Sequence, residues 1–360
     1  MATPREPTPP SPSLPSNSAL DTLITTLQSG GIKNILVLAG AGLSTSAGIP
    51  DFRTPTSGLY AKLAPLQLPY PEALFHINYF RHTPEPFYAL ARARHPKNAK
   101  PTLAHAFLAL LEKKGVLRFV VTQNIDSLEG DAGVSKEKVL NAHGSWNSQR
   151  CVKCKTPFDD GKMKAAIRAG EVPLCEKEAD GGSCGGIVKP DIVMFGESLP
   201  RGFDDIEETI LPQADLVIVM GTSLKVAPVS GLPRKVKDSV PRVLINKEVV
   251  GDFGARKSDI CLLGDCDEGV REIARRLGWE GELEDLHREA IERKERTVRE
   301  EGWDDDDNSL SLDECIARAA EKMKVRMGVS DGHRRMLEGH LGKKMASMLR
   351  RGQASRNPTL

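Results

Sequence analysis

The chain has 360 residues, of which 50 are basic and 49 are acidic, so its formal net charge is +1. A chain of this length holds one large domain or two ordinary ones, and a hydrophobic content of 39% allows a sizeable core. The balance of charge excludes a global field that would steer the protein toward nucleic acid or an acidic membrane, so any such contact must be local.

The N-terminal segment is rich in proline and serine and lacks the apolar stretch of a secretory signal. We therefore predict a disordered arm over residues 1–18. The apolar runs along the chain are far shorter than the roughly 20 residues that a membrane span requires. We expect a soluble, intracellular protein, and in a reducing compartment clustered cysteines are more often metal ligands than disulfides.

Short β-branched runs recur along the chain and indicate buried strands. The predicted strands cover residues 34–40, 118–124, 138–144, 214–221, 242–247 and 259–264. Helix-like stretches separate several of them, and near-continuous apolar strands that alternate with helices are typical of a parallel sheet covered on both faces. The predicted fold class is α/β, with a doubly wound, Rossmann-like parallel sheet.

Two segments interrupt this rhythm and are predicted to be insertions that form a smaller lobe. Residues 54–98 contain many prolines and aromatic residues, and residues 145–190 hold four of the seven cysteines. The smaller lobe is thus expected to combine helices with a zinc ribbon. The main domain is predicted to span residues 19–281.

The composition changes again after Trp279, where a charged helix is predicted over residues 282–301, followed by an acidic run at 304–307 and two further helical stretches. We predict that the tail, residues 282–360, regulates the protein and that a chain ending near residue 281 stays folded and active. Apolar residues recur at helical spacing in two stripes. They are Leu312, Ile316, Ala319, Met323 and Met327, and then Leu337, Leu341, Met345 and Met348.

Three interpretations of these stripes stay open. They are ordinary packing surfaces, or one helix docks on the main domain or a partner, or the basic second helix contacts nucleic acid or an acidic membrane surface. If the tail covers a ligand-binding cleft of the main domain, its removal is expected to lower the KM for the ligand that binds there.

Four cysteines form a local cluster. Cys151 and Cys154 make a C-x2-C pair, and Cys175 and Cys184 follow after gaps of twenty and eight residues. Four thiolates match a tetrahedral, structural zinc site. The second gap is wider than in a usual zinc knuckle, so the alternative is four unconnected buried cysteines.

The stretch GAGLSTSAGIPDFR at residues 40–53 follows the first predicted strand and begins like a phosphate-binding turn. Thr45 stands where a dinucleotide fingerprint has its third glycine. A hydride-transferring dehydrogenase also has an acid about 20 residues further on, and the sequence there is GLYAKLAP. A dinucleotide is therefore plausible at this turn, whereas hydride chemistry is not.

This stretch and five others, taken together, resemble the sirtuin family. The others are TQNIDSLE (122–129), AHG (142–144), VKPDIVMFGE (188–197), MGTSLKVAP (220–228) and LINKE (244–248), in the family's order, over about residues 20–280. The likeness is greatest to class I deacetylases of the cytoplasmic, fungal type. It implies a catalytic domain over residues 19–281 and a cytoplasmic protein with nuclear shuttling.

The resemblance implies that NAD binds and is cleaved, with nicotinamide leaving, and that one structural zinc ion supports the smaller lobe. The turn after the first strand would hold the pyrophosphate at a helix N-terminus. The cofactor residues implied by the likeness are Gly40, Ala41, Gly42, Leu43, Ser44, Thr45, Ile49, Asp51, Phe52, Arg53, Gln123, Asn124, Ile125, Asp126, Gly221, Thr222, Ser223, Asn246, Lys247, Glu248 and Cys266.

His143 is the candidate general base, because imidazole titrates near neutral pH. By family likeness, the acetyl oxygen attacks the ribose as nicotinamide departs, and His143 then activates a ribose hydroxyl. Gln123 and Asn124 are the other candidate catalytic residues. The products would be deacetylated lysine, nicotinamide and O-acetyl-ADP-ribose. The alternative is that His143 only forms a hydrogen bond to the backbone at the end of a strand and has no catalytic role.

The resemblance also implies a peptide site, in which an acetylated protein, a histone tail or a cytoplasmic protein, binds as an extended strand. The implied contacts are Val193, Phe195, Gly196, Glu197, Lys225 and Val226. We expect no direct nucleic-acid binding, and the sequence leaves the oligomeric state open. The alternatives are long-chain deacylation, mono-ADP-ribosyl transfer, or a zinc-ribbon nucleic-acid-binding protein, although the ribbon's charges are mixed.

Overall fold

The computed structural model describes residues 17–52, 54, 58–94, 99–179, 182–300 and 311–327. The chain divides into two compact units. The first comprises Met1–Asp51, Pro96–Asn147 and Ser198–Trp303, and the second comprises Phe52–His95, Ser148–Glu197 and Asp304–Leu360.

The strands of the described residues are, in chain order, β1 (Ile35–Ala39), β2 (Leu117–Thr122), β3 (Val139–Asn141), β4 (Gly144–Cys151), β5 (Glu178–Ala179), β6 (Gly182–Ser183), β7 (Val188–Ile192), β8 (Leu216–Met220), β9 (Arg242–Asn246) and β10 (Asp259–Leu263). The α-helices are α1 (Asn17–Gln28), α2 (Leu59–Lys62), α3 (Ile77–His82), α4 (Glu85–Arg94), α5 (Leu103–Lys113), α6 (Leu128–Asp131), α7 (Asp160–Ala169), α8 (Phe203–Asp205), α9 (Cys266–Leu277), α10 (Glu280–Glu300) and α11 (Leu312–Met327).

The first unit is built on a six-stranded sheet in the order β10-β9-β8-β1-β2-β3, and every neighbouring pair is parallel. These are the six strands that the sequence predicts, so the predicted doubly wound, Rossmann-like α/β class is confirmed. The chain order reverses beside β1, which lies between β2 and β8. In open α/β sheets, ligands bind outside the carboxyl ends of the strands at such a reversal.

Both faces of this sheet are covered, which explains the nearly continuous apolar letters of its strands. All five residues of β1 are buried. Ile35 and Val37 pack into a core with residues of α1, α5 and α9. Leu36 and Leu38 point the other way, into a second core formed with residues between 203 and 253.

The second unit is held together by an aromatic cluster and by the cysteine-rich segment. The rings of Phe80 and Phe87 lie 5.3 Å apart, nearly perpendicular to one another, and the Phe87 and Tyr88 rings lie 5.4 Å apart. The buried Tyr88 hydroxyl donates to the Val188 carbonyl of β7 at 2.6 Å. This hydrogen bond ties the helices of residues 59–94 to the segment that carries the cysteines.

Both predicted domain boundaries, at residues 18 and 281, fall inside helices. Helix α1 already begins at Asn17, inside the arm predicted to end at residue 18. Helix α10 packs against α5 of the first unit, where Leu283 and Ala290 are fully buried. The predicted boundary at 281 therefore cuts through a helix that belongs to the first unit.

Helix α11 packs against α4 of the second unit and buries the first half of its apolar stripe. The buried residues are Leu312, Cys315, Ile316 and Ala319. The side chains of Met323 and Met327 and the whole second stripe lie outside the described residues. Over the part of the chain that the structure describes, none of the helices is long and apolar enough to cross a bilayer.

Replacing Leu283 with alanine is expected to lower the free energy of unfolding by about 2–5 kcal/mol, because it leaves a cavity in the core between α10 and α5. Urea unfolding of wild type and variant measures the difference. Glu289→Ala, on the exposed side of the same helix, should change stability by at most about 0.5 kcal/mol. Equal midpoints for Leu283→Ala and Glu289→Ala would show that α10 is dispensable to the first unit, as the sequence-based boundary implies.

Candidate functional site

Glycines bring the turns after β1 and β8 into direct contact. The Gly40 amide donates to the Met220 carbonyl at 3.0 Å, and the Gly42 amide donates to the Gly221 carbonyl at 2.7 Å. A Cβ atom on Gly42 would lie 2.7 Å from the Gly221 Cα, and one on Gly40 would lie 2.6 Å from the Thr222 Cβ. Only glycine permits this approach, which leaves a cradle of backbone at the reversal of the sheet.

The turn after β1 differs in one respect from the prediction of a phosphate-binding helix. Ala41–Ala47 is a 3-10 helix, and it ends at Gly48, whose φ is +81°. The Thr45 hydroxyl donates to the Gly42 carbonyl at 3.0 Å. Thr45 thus closes the turn, which accounts for a hydroxyl residue where a dinucleotide fingerprint has glycine.

Gln123 connects the cradle to His143. Its side-chain amide donates to the Thr222 hydroxyl at 2.9 Å, and its backbone carbonyl lies 3.0 Å from Nδ1 of His143. Because a carbonyl oxygen only accepts, Nδ1 carries the proton, and the neutral ring presents the lone pair of Nε2. Burial lowers the pKa of His143, and the hydrogen bond to Gln123 opposes that shift only in part. His143 is therefore a neutral base at neutral pH.

Ser44 is the centre of a buried hydrogen-bond network beneath the cradle. Its hydroxyl donates to Oδ2 of Asp126 at 2.7 Å and accepts from Nδ2 of Asn124 at 3.2 Å. Nε2 of His105 lies 3.5 Å from the same oxygen. A hydroxyl offers one donor and two acceptor positions, so the hydroxyl of Ser44 is fully occupied. Its side chain positions Asp126 and Asn124 and is not free to bind a ligand.

The candidate residues after β9 and β10 have inward-facing or surface partners. Nδ2 of Asn246 donates to the Glu248 carbonyl at 2.8 Å, and Nζ of the exposed Lys247 lies 3.0 Å from Asp265. Burial raises the pKa of Cys266 to about 12, and its thiol points at the Ile245 carbonyl, 3.6 Å away. The Cys266 thiol is therefore protonated and faces the sheet.

The other predicted cofactor residues divide between the two units. Ala41, Leu43, Ile49, Asp51, Ile125 and Ser223 lie in the first unit, on the loops that follow β1, β2 and β8. Leu43 is fully buried, so only its backbone can face a ligand. Phe52 belongs to the second unit, where its ring lies 5.8 Å from that of Tyr60. Arg53 lies outside the described residues.

The loop predicted to bind peptide is held by its own unit. The Phe195 amide donates to the Phe75 carbonyl at 2.8 Å, and the Phe195 carbonyl accepts from the Ile77 amide at 3.0 Å. The Glu197 carboxylate accepts from the Met194 amide at 3.0 Å.

The Glu197 carboxylate also lies 3.0 Å from Nζ of the buried Lys189. Phe195 therefore has no free backbone group for a peptide, and Glu197 folds back onto the loop, so strand pairing would use the backbone of Gly196. Val193 precedes this loop in the second unit, whereas Lys225 and Val226 follow β8 in the first.

The four predicted metal ligands are brought together in the second unit. The sulfur atoms of Cys151, Cys154, Cys175 and Cys184 all lie within 4.8 Å of one another, and none of these cysteines forms a disulfide. The Cys154 and Cys175 sulfurs are 3.6 Å apart, and those of Cys151 and Cys184 are 3.8 Å apart. Sulfurs at about 2.3 Å from a tetrahedral zinc ion would be about 3.8 Å apart, so the cluster fits zinc.

Within the wide gap between Cys175 and Cys184, β5 pairs antiparallel with β6. The Cys184 amide donates to the Lys177 carbonyl at 2.8 Å and the Cys175 amide donates to the Gly186 carbonyl at 2.8 Å. A Cβ atom on Gly186 would lie 2.6 Å from the Cys151 sulfur. The extra length is thus accommodated without separating the two ligands.

Comparison with known proteins agrees with this arrangement. Residues 40–228, which include the cradle, His143 and all four clustered cysteines, match the Sir2 family. The chain belongs to the Sir2 family. The match covers more than half of the chain.

Among curated members of the Sir2 family, the chain is 62% identical over 340 residues to NAD-dependent protein deacetylase hst2-2 of Emericella nidulans, covering 94% of this chain and 95% of that protein. It is 42% identical over 309 residues to NAD-dependent protein deacetylase hst2 of Schizosaccharomyces pombe, covering 86% and 89%. It is 45% identical to NAD-dependent protein deacetylase sirtuin-2 of Danio rerio over 74% of each chain.

Two buried residues of this Sir2 site are absent from the sequence-based prediction. His105 is fully buried on α5, and its Nδ1 accepts from the Thr102 amide at 3.2 Å, so its proton lies on Nε2, toward Ser44. A histidine inside the apolar run LAHAFLALL was a signal for it. Glu129 is fully buried on α6, and only its place after Asp126 could have drawn attention to it.

Proposed function

We propose that this protein is an NAD-dependent protein lysine deacetylase, which transfers the acetyl group of acetyl-lysine to ADP-ribose and releases nicotinamide and O-acetyl-ADP-ribose. The names of its Sir2 relatives support this activity. The single observation that carries the proposal is His143, a neutral imidazole that the Gln123 carbonyl holds with Nε2 unprotonated. Through Gln123 and Thr222, this base is connected to the glycine cradle.

The residues at the cradle fit a dinucleotide. Gly40, Gly42 and Gly221 let the backbones of the two turns approach one another more closely than any Cβ atom would allow, and the loop after β8 offers the hydroxyls of Thr222 and Ser223. Such a turn at the reversal of a parallel sheet is suited to a pyrophosphate. When bound, NAD supplies a cleavable bond between nicotinamide and ribose.

The protein's own groups then divide the work. Nε2 of His143 accepts a proton from a hydroxyl group, and the bond from Nδ1 to Gln123 fixes the ring and its tautomer. The network of Ser44 fixes Asn124 and Asp126 by their side chains, which gives them one orientation each. Fixed polar groups of this kind stabilise a transition state because they need no reorganisation during the reaction.

The substrate is an acetylated protein, and we propose that it is a histone tail or a cytoplasmic protein bound as an extended strand. Within the described part of the chain, no backbone hydrogen bond involves Gly196, which supports this mode, since strand pairing selects weakly for sequence. We further propose a cytoplasmic protein with nuclear shuttling, which fluorescence imaging of the tagged chain would test.

Incubating the protein with NAD and an acetylated peptide tests the proposed reaction. Mass spectrometry should find deacetylated peptide, nicotinamide and O-acetyl-ADP-ribose in equal amounts. ADP-ribose attached to protein would instead identify a mono-ADP-ribosyltransferase. Turnover of myristoyl-lysine with none of acetyl-lysine would identify a long-chain deacylase.

Acyl-group preference gives a separate expectation, because sirtuins that act on acidic acyl groups resemble one another in a Tyr-x-x-Arg pair. Here Tyr60 is followed three residues later by Leu63, which is 2% exposed. No guanidinium stands at that position to pair a distal carboxylate, and burying an unpaired charge is unfavourable. We expect kcat/KM for succinyl-lysine to be at least about tenfold below that for butyryl-lysine, a neutral group of the same carbon number. Equal values would contradict the expectation.

A further inference from the structure

Glu129, on α6, carries a carboxyl group that has no role in the reaction proposed above. Its side chain is 0% exposed. Among the described residues, no hydrogen-bond partner lies within reach of either carboxyl oxygen. An ionised carboxylate is strongly disfavoured in such surroundings unless a partner compensates it, so this side chain calls for a proton.

Helix α6 connects Glu129 directly to the cofactor side of the sheet. The amide of Leu128 donates to Oδ1 of Asp126 at 3.1 Å, while Oδ2 of Asp126 accepts from Ser44. Ser44 in turn holds Asn124. Whatever displaces Asp126 therefore also displaces the side chains that we assign to NAD.

The two acids compete for one proton. Asp126 accepts two hydrogen bonds, which favour its ionised form, whereas Glu129 accepts none at hydrogen-bond distance. The proton therefore belongs on Glu129. Burial, and then the charge of Asp126, raise the pKa of Glu129 to about 8; the nearby Thr122 hydroxyl, which makes no hydrogen bond of normal geometry to the carboxyl group, opposes this rise only in part.

The other charged groups around this pair favour the same distribution. Asp131, on the same helix, raises the pKa of Glu129 further. Burial raises the pKa of Asp126 as well, but its hydrogen bonds and the charge of Lys294 of α10, which lies 2.6 Å from Asp131, oppose that rise. His105 of α5 stays neutral, because burial lowers its pKa to about 3. Asp267 of α9 and His287 of α10 influence His105 in opposite directions.

We propose that Glu129 is a positioning residue for the NAD site, which keeps Asp126 and the Ser44 network in place only while its own carboxyl group is protonated. Ionisation of Glu129 puts a second buried anion beside Asp126, and the repulsion weakens the hold on Asp126 and Asn124. Affinity for NAD and turnover then fall as the pH rises through the weakly alkaline range. The inference rests on the proposed function, since it concerns the cofactor of that reaction.

The test compares pH profiles of kcat/KM for NAD between pH 6.5 and 9.5. In wild type, the value at pH 9 should be about one tenth of that at pH 7, as expected for a group that titrates near pH 8. In Glu129→Gln, which keeps the shape and cannot ionise, the same ratio should stay within about twofold of one. Glu129→Met is a second neutral variant should glutamine fold poorly, and Glu137→Gln, at an exposed acid, should keep the wild-type ratio.

Direct binding and melting measurements separate this inference from the proposed function. Isothermal titration with NAD should show the same alkaline loss of affinity in wild type and its absence in Glu129→Gln. Since the unfolded chain ionises Glu129 above about pH 4.5 and the folded chain does not, wild-type stability should fall from there to about pH 8. The melting temperature of Glu129→Gln should therefore exceed that of wild type at pH 7.5, by a margin that shrinks toward pH 4.5.

Two results would overturn the inference. In the first, kcat/KM for NAD still falls between pH 7 and pH 9 in both Glu129→Gln and Glu129→Met. In the second, active wild type shows no such fall. Failure of folded wild type to bind NAD at any pH would overturn the proposed function instead. In that case, equal pH dependence of melting in wild type and Glu129→Gln would still overturn the assignment of the proton to Glu129.

Discussion

Replacing His143 with alanine is expected to lower kcat by about 10²- to 10⁴-fold, the usual cost of removing a general base. NAD affinity should change little, because the side chain touches the Gln123 carbonyl and not the glycine cradle. The backbone of Gln123 is held independently by β1, through the Ala39 carbonyl at 2.9 Å. Single-turnover deacetylation and NAD titration of the same sample measure the two effects.

The same base predicts the acidic side of the pH profile. His143 must be neutral to accept a proton, and burial lowers its pKa, so the acidic limb of kcat/KM should lie below about pH 6.5. His82→Ala, at an exposed histidine of α3, is the matched control and should keep wild-type turnover. Near-normal turnover in His143→Ala would remove His143 from the mechanism.

The sheet was accessible from sequence because its central strands β1, β8 and β9 are buried on both faces. In β1, residues that alternate between the two cores are all apolar, so the run is both short and continuous. The flanking glycines and helix-like stretches then separate one strand from the next. The cysteine cluster was accessible for a different reason, since thiols of a metal site are close in sequence as well as in space.

The buried network was beyond such reasoning, because its contacts join distant parts of the chain. The partners of Ser44 are Asn124, Asp126 and His105, which are 61 to 82 residues away. Only the folded structure shows that the Ser44 hydroxyl already has three hydrogen-bond partners and is therefore not available to bind a ligand. The family resemblance assigns Ser44 to NAD binding, whereas the structure shows that its side chain holds Asn124 and Asp126 in place.

The charged helix after Trp279 shows the limit of composition. The residues of α10 are mostly Glu and Arg, so the sequence resembles that of a solvated tail. Leu283 and Ala290 are nevertheless fully buried against the first unit. A few apolar residues, here Leu283, Leu286 and Ala290, are enough to join a helix of 21 residues to a domain when they face another helix. The sequence-based boundary at residue 281 therefore falls inside α10, Glu280–Glu300.

The cysteine cluster carries the second large effect. Replacing Cys154 with serine is expected to abolish zinc binding and most of the soluble, folded protein, because a structural zinc site needs four thiolates and its metal supplies folding free energy. The apparent binding free energy of such sites is about 10–16 kcal/mol, which is comparable to the whole stability of a domain. Elemental analysis should find one zinc ion per wild-type chain and none in the variant.

Activity should disappear together with the metal, although zinc takes no part in the chemistry, because all four ligand positions are filled by Cys151, Cys154, Cys175 and Cys184 and none is open to water. Cys261→Ser, at a cysteine of β10 outside the cluster, is the matched control and should retain zinc, solubility and turnover. A chelator applied to wild type should reproduce the Cys154→Ser result, with loss of folded structure preceding or accompanying loss of activity. A metal-free sample that is folded by circular dichroism and still deacetylates peptide would overturn the structural assignment, since the cluster would then be supporting neither the second unit nor the reaction.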